Sequence, residues 1–205
     1  MMKYDYGLTD DMRSVLSSLV GRRLEACLTT EADGANWNSY STFVLRFAEE
    51  DIEFATKEVA GTGLFDETNT IEILRRPDRK VWWPVGTWMK VRQPDGSTKK
   101  VKRPRFYETP IGEVIDAITV AIGTLSCDAS KSEHGCDDGA IDFVRAVAFH
   151  FGGSALVFDK GDLSWGEVWR IRRCKGDEIE FPCENDDPEQ PEYMTTVRVE
   201  HFGRA

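Results

Sequence analysis

Trp88, Lys90, Arg92, Lys100 and Lys102 are the residues whose types and spacing best suit recognition chemistry. They flank Pro94-Asp95-Gly96-Ser97, a β-turn signal in which Gly96 is free to take a positive φ. Strands over 87–93 and 98–103 would alternate, so that Met89, Val91 and Val101 share one face and the five residues above share the other. A cationic face with an indole beside it can hold phosphates and stack a base. It can equally hold an acidic protein surface through charge complementarity. The hairpin lies within residues 75–107, which carry eleven Lys or Arg against Asp78 and Asp95, and half of the six tryptophans. That stretch is +9 in a chain of −10, so the remainder sums to −19 and would repel a nucleic-acid duplex brought near it. A competing arrangement is internal: residues 177–192 hold eight acids and no base, and they would neutralise the hairpin if they lay against it. Exposed pairs of that kind contribute only about 0–1 kcal/mol each.

Groups suited to catalysis are sparse. The three histidines are His134 in a polar loop, His150 on a strand and His201 near the C-terminus. The chain has no Walker loop, no HExxH, no GxGxxG and no nucleophile elbow. Glu25 and Asp116 occupy matching places in two similar stretches, and two carboxylates meeting across a pseudo-twofold axis can share a proton. Strand carboxylates more commonly face solvent, and no catalytic residue is assigned. The cysteines are Cys27, Cys127, Cys136, Cys174 and Cys183. Cys127 to Cys136 and Cys174 to Cys183 share an eight-residue gap, which is not a zinc-knuckle spacing, so no metal and no cofactor is assigned. Cys27 reads as a small core residue. The thiols are expected to be reduced; in an oxidising compartment 127–136 and 174–183 would be the candidate disulfides.

The elements that must position these groups read as mainly β, with a minor helical part. Thr9 caps a short helix over 10–20, with Asp10 and Asp11 at its positive end, Met12, Val15, Leu16, Leu19 and Val20 at helical spacing, and Gly21 beyond its end. Strands follow at 22–30, where Leu24, Ala26 and Leu28 alternate with polar residues, at 40–47, at Ile52 and Phe54, and at 70–74. The pattern then repeats. Val20-Gly21-x-x-Leu24-Glu25-Ala26 is echoed by Ile111-Gly112-x-x-Ile115-Asp116-Ala117. Leu45-Arg46-Phe47, four residues and Ile52-Glu53-Phe54 are echoed by Phe149-His150-Phe151, four residues and Leu156-Val157-Phe158. Residues 111–122 fit a helical period too, but their Val, Ile and Thr content favours strand. Further strands are expected at 165–173 and 196–202, giving at least nine. The expected architecture is two similar antiparallel β units packed together, or one sandwich or barrel. The division is 1–76 for the first unit with its helix, 77–107 for the basic aromatic insert and 108–205 for the second unit with its acidic loop and last strand, all compatible with one compact domain.

With 205 residues, 40% apolar and 30% charged, the chain suits a globular fold and is too apolar for disorder. No apolar run approaches the ~20 residues of a membrane helix, and the first dozen residues lack the apolar core of a signal peptide. A cytoplasmic setting without membrane contact is therefore expected. Together these features point to a small acidic non-enzymatic protein that binds a macromolecular partner, a protein by preference, in the manner of an immunity or inhibitor protein. A nucleic-acid-associated module using the hairpin and an enzyme of unrecognised type are the alternatives. Open β edges are also compatible with a homodimer.

Overall fold

The computed structural model describes residues 2–29, 42–59, 68–77, 88–92, 97–102, 107–131, 139–159, 170–176, 179–181 and 193–203. They form one helix, α1 (Asp10–Leu19), a short 3-10 turn and thirteen strands. The first unit comprises β2 (Arg23–Thr29), β3 (Thr42–Arg46), β4 (Asp51–Val59), β5 (Thr68–Arg76) and β8 (Tyr107–Val114). The second comprises β9 (Ala117–Cys127), β10 (Gly139–Phe151), β11 (Ser154–Asp159), β12 (Arg170–Lys175) and β13 (Tyr193–Gly203). β6 (Trp88–Arg92) and β7 (Thr98–Lys102) form a two-stranded ribbon of their own. The N-terminal β1 (Met2–Tyr6) runs parallel to the start of β10.

The two sheets have one plan. The first is ordered β5-β4-β3-β2-β8 and the second β12-β11-β10-β9-β13, each a four-stranded meander with a later strand added beside its first member. The register agrees as well. Leu45 faces Ile52 and Phe43 faces Phe54 in the first unit; Phe149 faces Leu156 and Val147 faces Phe158 in the second. One strand further on, Ile52 faces Arg75 and Phe54 faces Ile73, while Leu156 faces Arg173 and Phe158 faces Ile171. The echoed glycines, Gly21 and Gly112, both take positive φ, +82° and +73°, a conformation that a side chain would strain. The two echoed stretches also meet: the Gly21 amide donates to the Ile115 carbonyl at 2.7 Å, and the Ile115 amide to the Arg22 carbonyl at 2.9 Å.

The inner faces of both sheets close on one core. The Phe43 ring of the first sheet stacks on Phe158 of the second, centroids 3.6 Å apart, and on Phe54 at 4.6 Å. Phe149 meets both Phe54 and Phe158 edge-on, each at 5.8 Å. Burying an aromatic of this size stabilises the fold by about 1.5–3 kcal/mol. Helix α1 forms where the capping signals lie: the Thr9 hydroxyl accepts the Met12 amide at 3.2 Å, and Asp10 and Asp11 occupy the first turn. Its Leu16 and Leu19 enter the same core, and the helix packs against β5 and β13. The Arg13 guanidinium clamps both Glu200 carboxylate oxygens, at 2.9 and 3.0 Å, fixing the helix to β13.

Several elements differ from the sequence expectation. Residues 108–114, placed with the second unit above, lie in β8, which returns past the insert to pair with β2 and complete the first sheet. Residues 111–122 are strand, as their composition favoured, but the strand is broken at Ile115-Asp116. β1 was not anticipated. It is held by pairing to β10 and by Lys3 Nζ, 3.2 Å from the buried Asp142, which also accepts from Thr124 at 2.6 Å. Alternation along β2 gives way to continuous burial over Ala26–Thr29, because its outer face is covered too: Ala26 and Leu28 cluster with Val44.

Candidate functional site

In the ribbon, Trp88 pairs with Lys102, Lys90 with Lys100 and Arg92 with Thr98, while Met89 pairs with Val101 and Val91 with Lys99. Alternation therefore places all five expected binding positions on one face of the ribbon and Met89, Val91, Val101 and Lys99 on the other. Among the described residues the ribbon pairs with neither sheet. Two charges counted with this stretch belong elsewhere. Arg75 and Arg76 are the last residues of β5, where Arg75 donates to Glu50 at 2.6 Å and Arg76 to Glu53 at 2.8 Å. The acidic residues 177–192 lie largely outside the described residues. Within 179–181, Ile179 and Phe181 pack on Ala148, Ala155 and Val157, and the Glu180 carbonyl accepts from Arg172.

The titratable groups fall into pairs of corresponding places. Arg46 and Glu108 form an ion pair of 2.6 Å across β2, with Asp51 also on Arg46 at 3.2 Å. In the second sheet the same two register places carry His150 and His201. There the strand between them supplies a hydroxyl: Thr119 Oγ1 lies 2.8 Å from His150 Nε2 and 3.3 Å from His201 Nδ1. A hydroxyl has one proton, so it donates to one ring and accepts from the other. Burial pulls the His150 imidazole below its ordinary pKa, the nearby His201 adds to the effect and Asp116 opposes it. These influences favour the neutral form of the ring that meets the strand hydroxyl. Sequence reasoning named both histidines but not Thr119, because adjacency across β9 is visible only once the register is known.

Glu25 is exposed at the bulge of β2 between Leu24 and Ala26. Asp116 is also exposed, and its carboxylate accepts the Gly152 amide at the next turn, an anchoring role for the β10–β11 hairpin. Glu50 joins Arg22 and Arg75 at 2.6 Å each. Desolvation alone would raise its pKa, yet hydrogen bonds and charge from the two guanidiniums leave it below the usual range.

Cys27 is buried and outside any disulfide, as expected of a small core residue, and Cys174 is half-buried and likewise outside any disulfide. Cys127 is disulfide-bonded, which corrects the expectation that all the thiols are reduced. His134, Cys136 and Cys183 lie outside the described residues. Among the described residues no group of three or more His, Cys, Asp or Glu is arranged to hold a metal ion. No described helix is long and apolar enough to cross a membrane.

A concavity that sequence reasoning did not find lies between the sheets, at the edge formed by β8 and β12. It measures about 270 Å³ and is lined by Cys27, Thr29, Thr109, Leu156, Ile171 and Arg173, with Pro110 and Ile111 at its side. No protein-family model matches the chain, and no curated protein and no solved structure is similar to it.

Proposed function

We propose that the protein is a non-enzymatic binding protein that docks a macromolecular partner through the positive face of the β6–β7 ribbon, as an immunity or inhibitor protein would. The register of the ribbon carries this reading: Trp88, Lys90, Arg92, Lys100 and Lys102 fall on one face of a hairpin that, among the described residues, joins neither sheet. An aromatic amid clustered cations suits an interface centre, where Trp and Arg dominate binding energy. An acidic protein surface fits better than a duplex, because the −19 outside residues 75–107 would oppose a polyanion of nucleic-acid size. We read the two β units as copies of one ancestral unit, with the ribbon as the insertion that gives the pair its binding role. A cytoplasmic setting would require the Cys127 disulfide to be transient.

The test is purification of the tagged chain from its native host beside a variant with Lys90, Arg92, Lys100 and Lys102 changed to Glu. A protein present with the native chain and lost from the variant supports the reading. Identical eluates refute it. A partner removed by nuclease instead of protease assigns the ribbon to nucleic acid.

A further inference from the structure

Among the described residues, the two edges of the sandwich are counterparts. α1 fills the gap between β5 and β13. β12 takes the place of β5 and β8 that of β13, so the gap between β12 and β8 is the same gap seen from the other unit. Register carries the match to single residues. Cys27 pairs with Thr109 where Ile118 pairs with Phe202, and Thr29 stands where Val120 does. Leu156 and Ile171 stand where Ile52 and Ile73 do. Ile118, Val120, Phe202, Ile52 and Ile73 share one core with Leu16 and Leu19 of α1, and Cys27, Leu156 and Ile171 border that same core from the other edge. At the other edge Ile, Val and Phe are replaced by Cys27, Thr29 and Thr109, and a cavity of about 270 Å³ stands there.

We propose that this second cleft docks a short amphipathic helix of a partner protein. Two apolar side chains three residues apart would enter the cavity, and a Ser or Thr hydroxyl between them would meet Arg173. α1 itself shows the pattern: Leu16 and Leu19 enter the core while the Ser18 hydroxyl accepts from Arg75. Arg173 is the register counterpart of Arg75, and its side chain is 52% exposed. Its hydrogen bonds to Glu113 and Ser154 both leave from Nη2, so they do not use the donors on Nε and Nη1. The volume is compatible with side chains inserted from a helix laid in the groove. The cleft is built from β2, β8, β11 and β12 and uses no residue of the ribbon.

The probe is a synthetic peptide with the sequence of residues 9–21, titrated into the full-length, methyl-labelled chain and followed by NMR. The expected result is shifts at Thr109, Leu156 and Ile171, absent with a peptide in which both leucines are serine. Thr109→Phe, which copies Phe202 of the filled edge, should weaken binding about tenfold or more by excluding one apolar side chain. Arg173→Glu, at an exposed position, should weaken it without touching the core, and it keeps the test decisive if Thr109→Phe fails to fold. The ribbon variant with four Glu should bind the peptide as the native chain does. Absence of shifts at millimolar peptide would overturn the proposal. So would shifts confined to β5 and β13, which would mean exchange with α1, and so would undiminished binding by Arg173→Glu.

Discussion

Arg75 and Arg173 hold the same place in the two sheets, each opposite the strand residue, Ile52 or Leu156, that follows the meander's second turn. Their surroundings have diverged. Arg75 shares Glu50 with Arg22, whereas Arg173 reaches Glu113, the residue that stands where Arg22 does, and Ser154 in place of Glu50. The Glu50 side chain is 13% exposed and that of Arg173 52%. Glu50→Gln should therefore cost about 1–3 kcal/mol, since it leaves two guanidiniums without their charged acceptor. Arg173→Ala should cost less than about 1 kcal/mol, as an exposed pair does. Urea unfolding of the two variants checks the order; equal losses would mean that the networks are equivalent after all.

The stacked pair Phe43–Phe158 joins the two units through the centre of the core, with ring centroids 3.6 Å apart. Each Phe→Ala change should cost about 3–5 kcal/mol. The double variant should lose clearly less than the sum, since each single change already abolishes the shared stack. Calorimetry should show one transition in the native chain, because no half of this core is complete without the other sheet. Two separable transitions would make the units independent domains.

The course of the chain was legible where local chemistry acts alone. Thr9, Asp10 and Asp11 announce α1, and Pro94-Asp95-Gly96-Ser97 announces the ribbon. The echo of Leu45 and Ile52 in Phe149 and Leu156 announced a register that the two hairpins share. Long-range pairing left no such mark. β8 lies beyond the whole insert from its partner β2, and β1 pairs with a strand more than a hundred residues away. Composition joined Arg75 and Arg76 to the basic stretch, while their partners, Glu50 and Glu53, reach them only across β4 and β5. Similarly, nothing in the spacing of Thr119, His150 and His201 indicates that three adjacent strands bring them together.

Acid should weaken the fold in two stages. The His150 pKa is lowered by burial and by His201, against the pull of Asp116, with Thr119 as its hydrogen-bond partner. The unfolded chain protonates this ring near 6.5, so the unfolded state takes up the proton first. Stability is then complete above about pH 6.5 and declines below it, toward the lowered folded value. Glu50 and Glu200 are lowered by their arginine partners, so their contribution is present above about pH 4.5 and is lost below it. His150→Gln should flatten thermal stability between pH 7.5 and 5.5 and leave the loss below pH 4.5 in place. An unchanged slope in that upper window would place the titrating group elsewhere.

Reduction should destabilise the protein. Cys127 ends β9, beside Tyr193 of β13 and Gly139 of β10, so its disulfide restrains the far end of the second sheet. Removing a native disulfide costs about 2–5 kcal/mol. Thermal unfolding with and without dithiothreitol, paired with intact mass under native alkylation, checks this. A single bridge that survives purification under alkylating conditions would argue for an oxidising compartment. Full alkylation of Cys127 in the native protein would return the chain to the reducing setting.

The ribbon offers the sharpest separation of a binding surface from an internal charge neutraliser. If residues 177–192 neutralise it, reversal of Lys90, Arg92, Lys100 and Lys102 sets like charges together and the fold loses stability. If the ribbon serves a partner, reversal leaves the unfolding midpoint within about 0.5 kcal/mol of native, as surface substitutions generally do. Only the second case also predicts that partner association slows with added salt, since the cations steer encounter and are screened over about 10 Å at 0.1 M. Denaturation of the native and reversed chains at 20 and 300 mM NaCl distinguishes the two. Under internal neutralisation the native chain weakens with salt and the gap between the chains narrows; under partner binding neither midpoint moves, and the salt dependence is confined to the association rate.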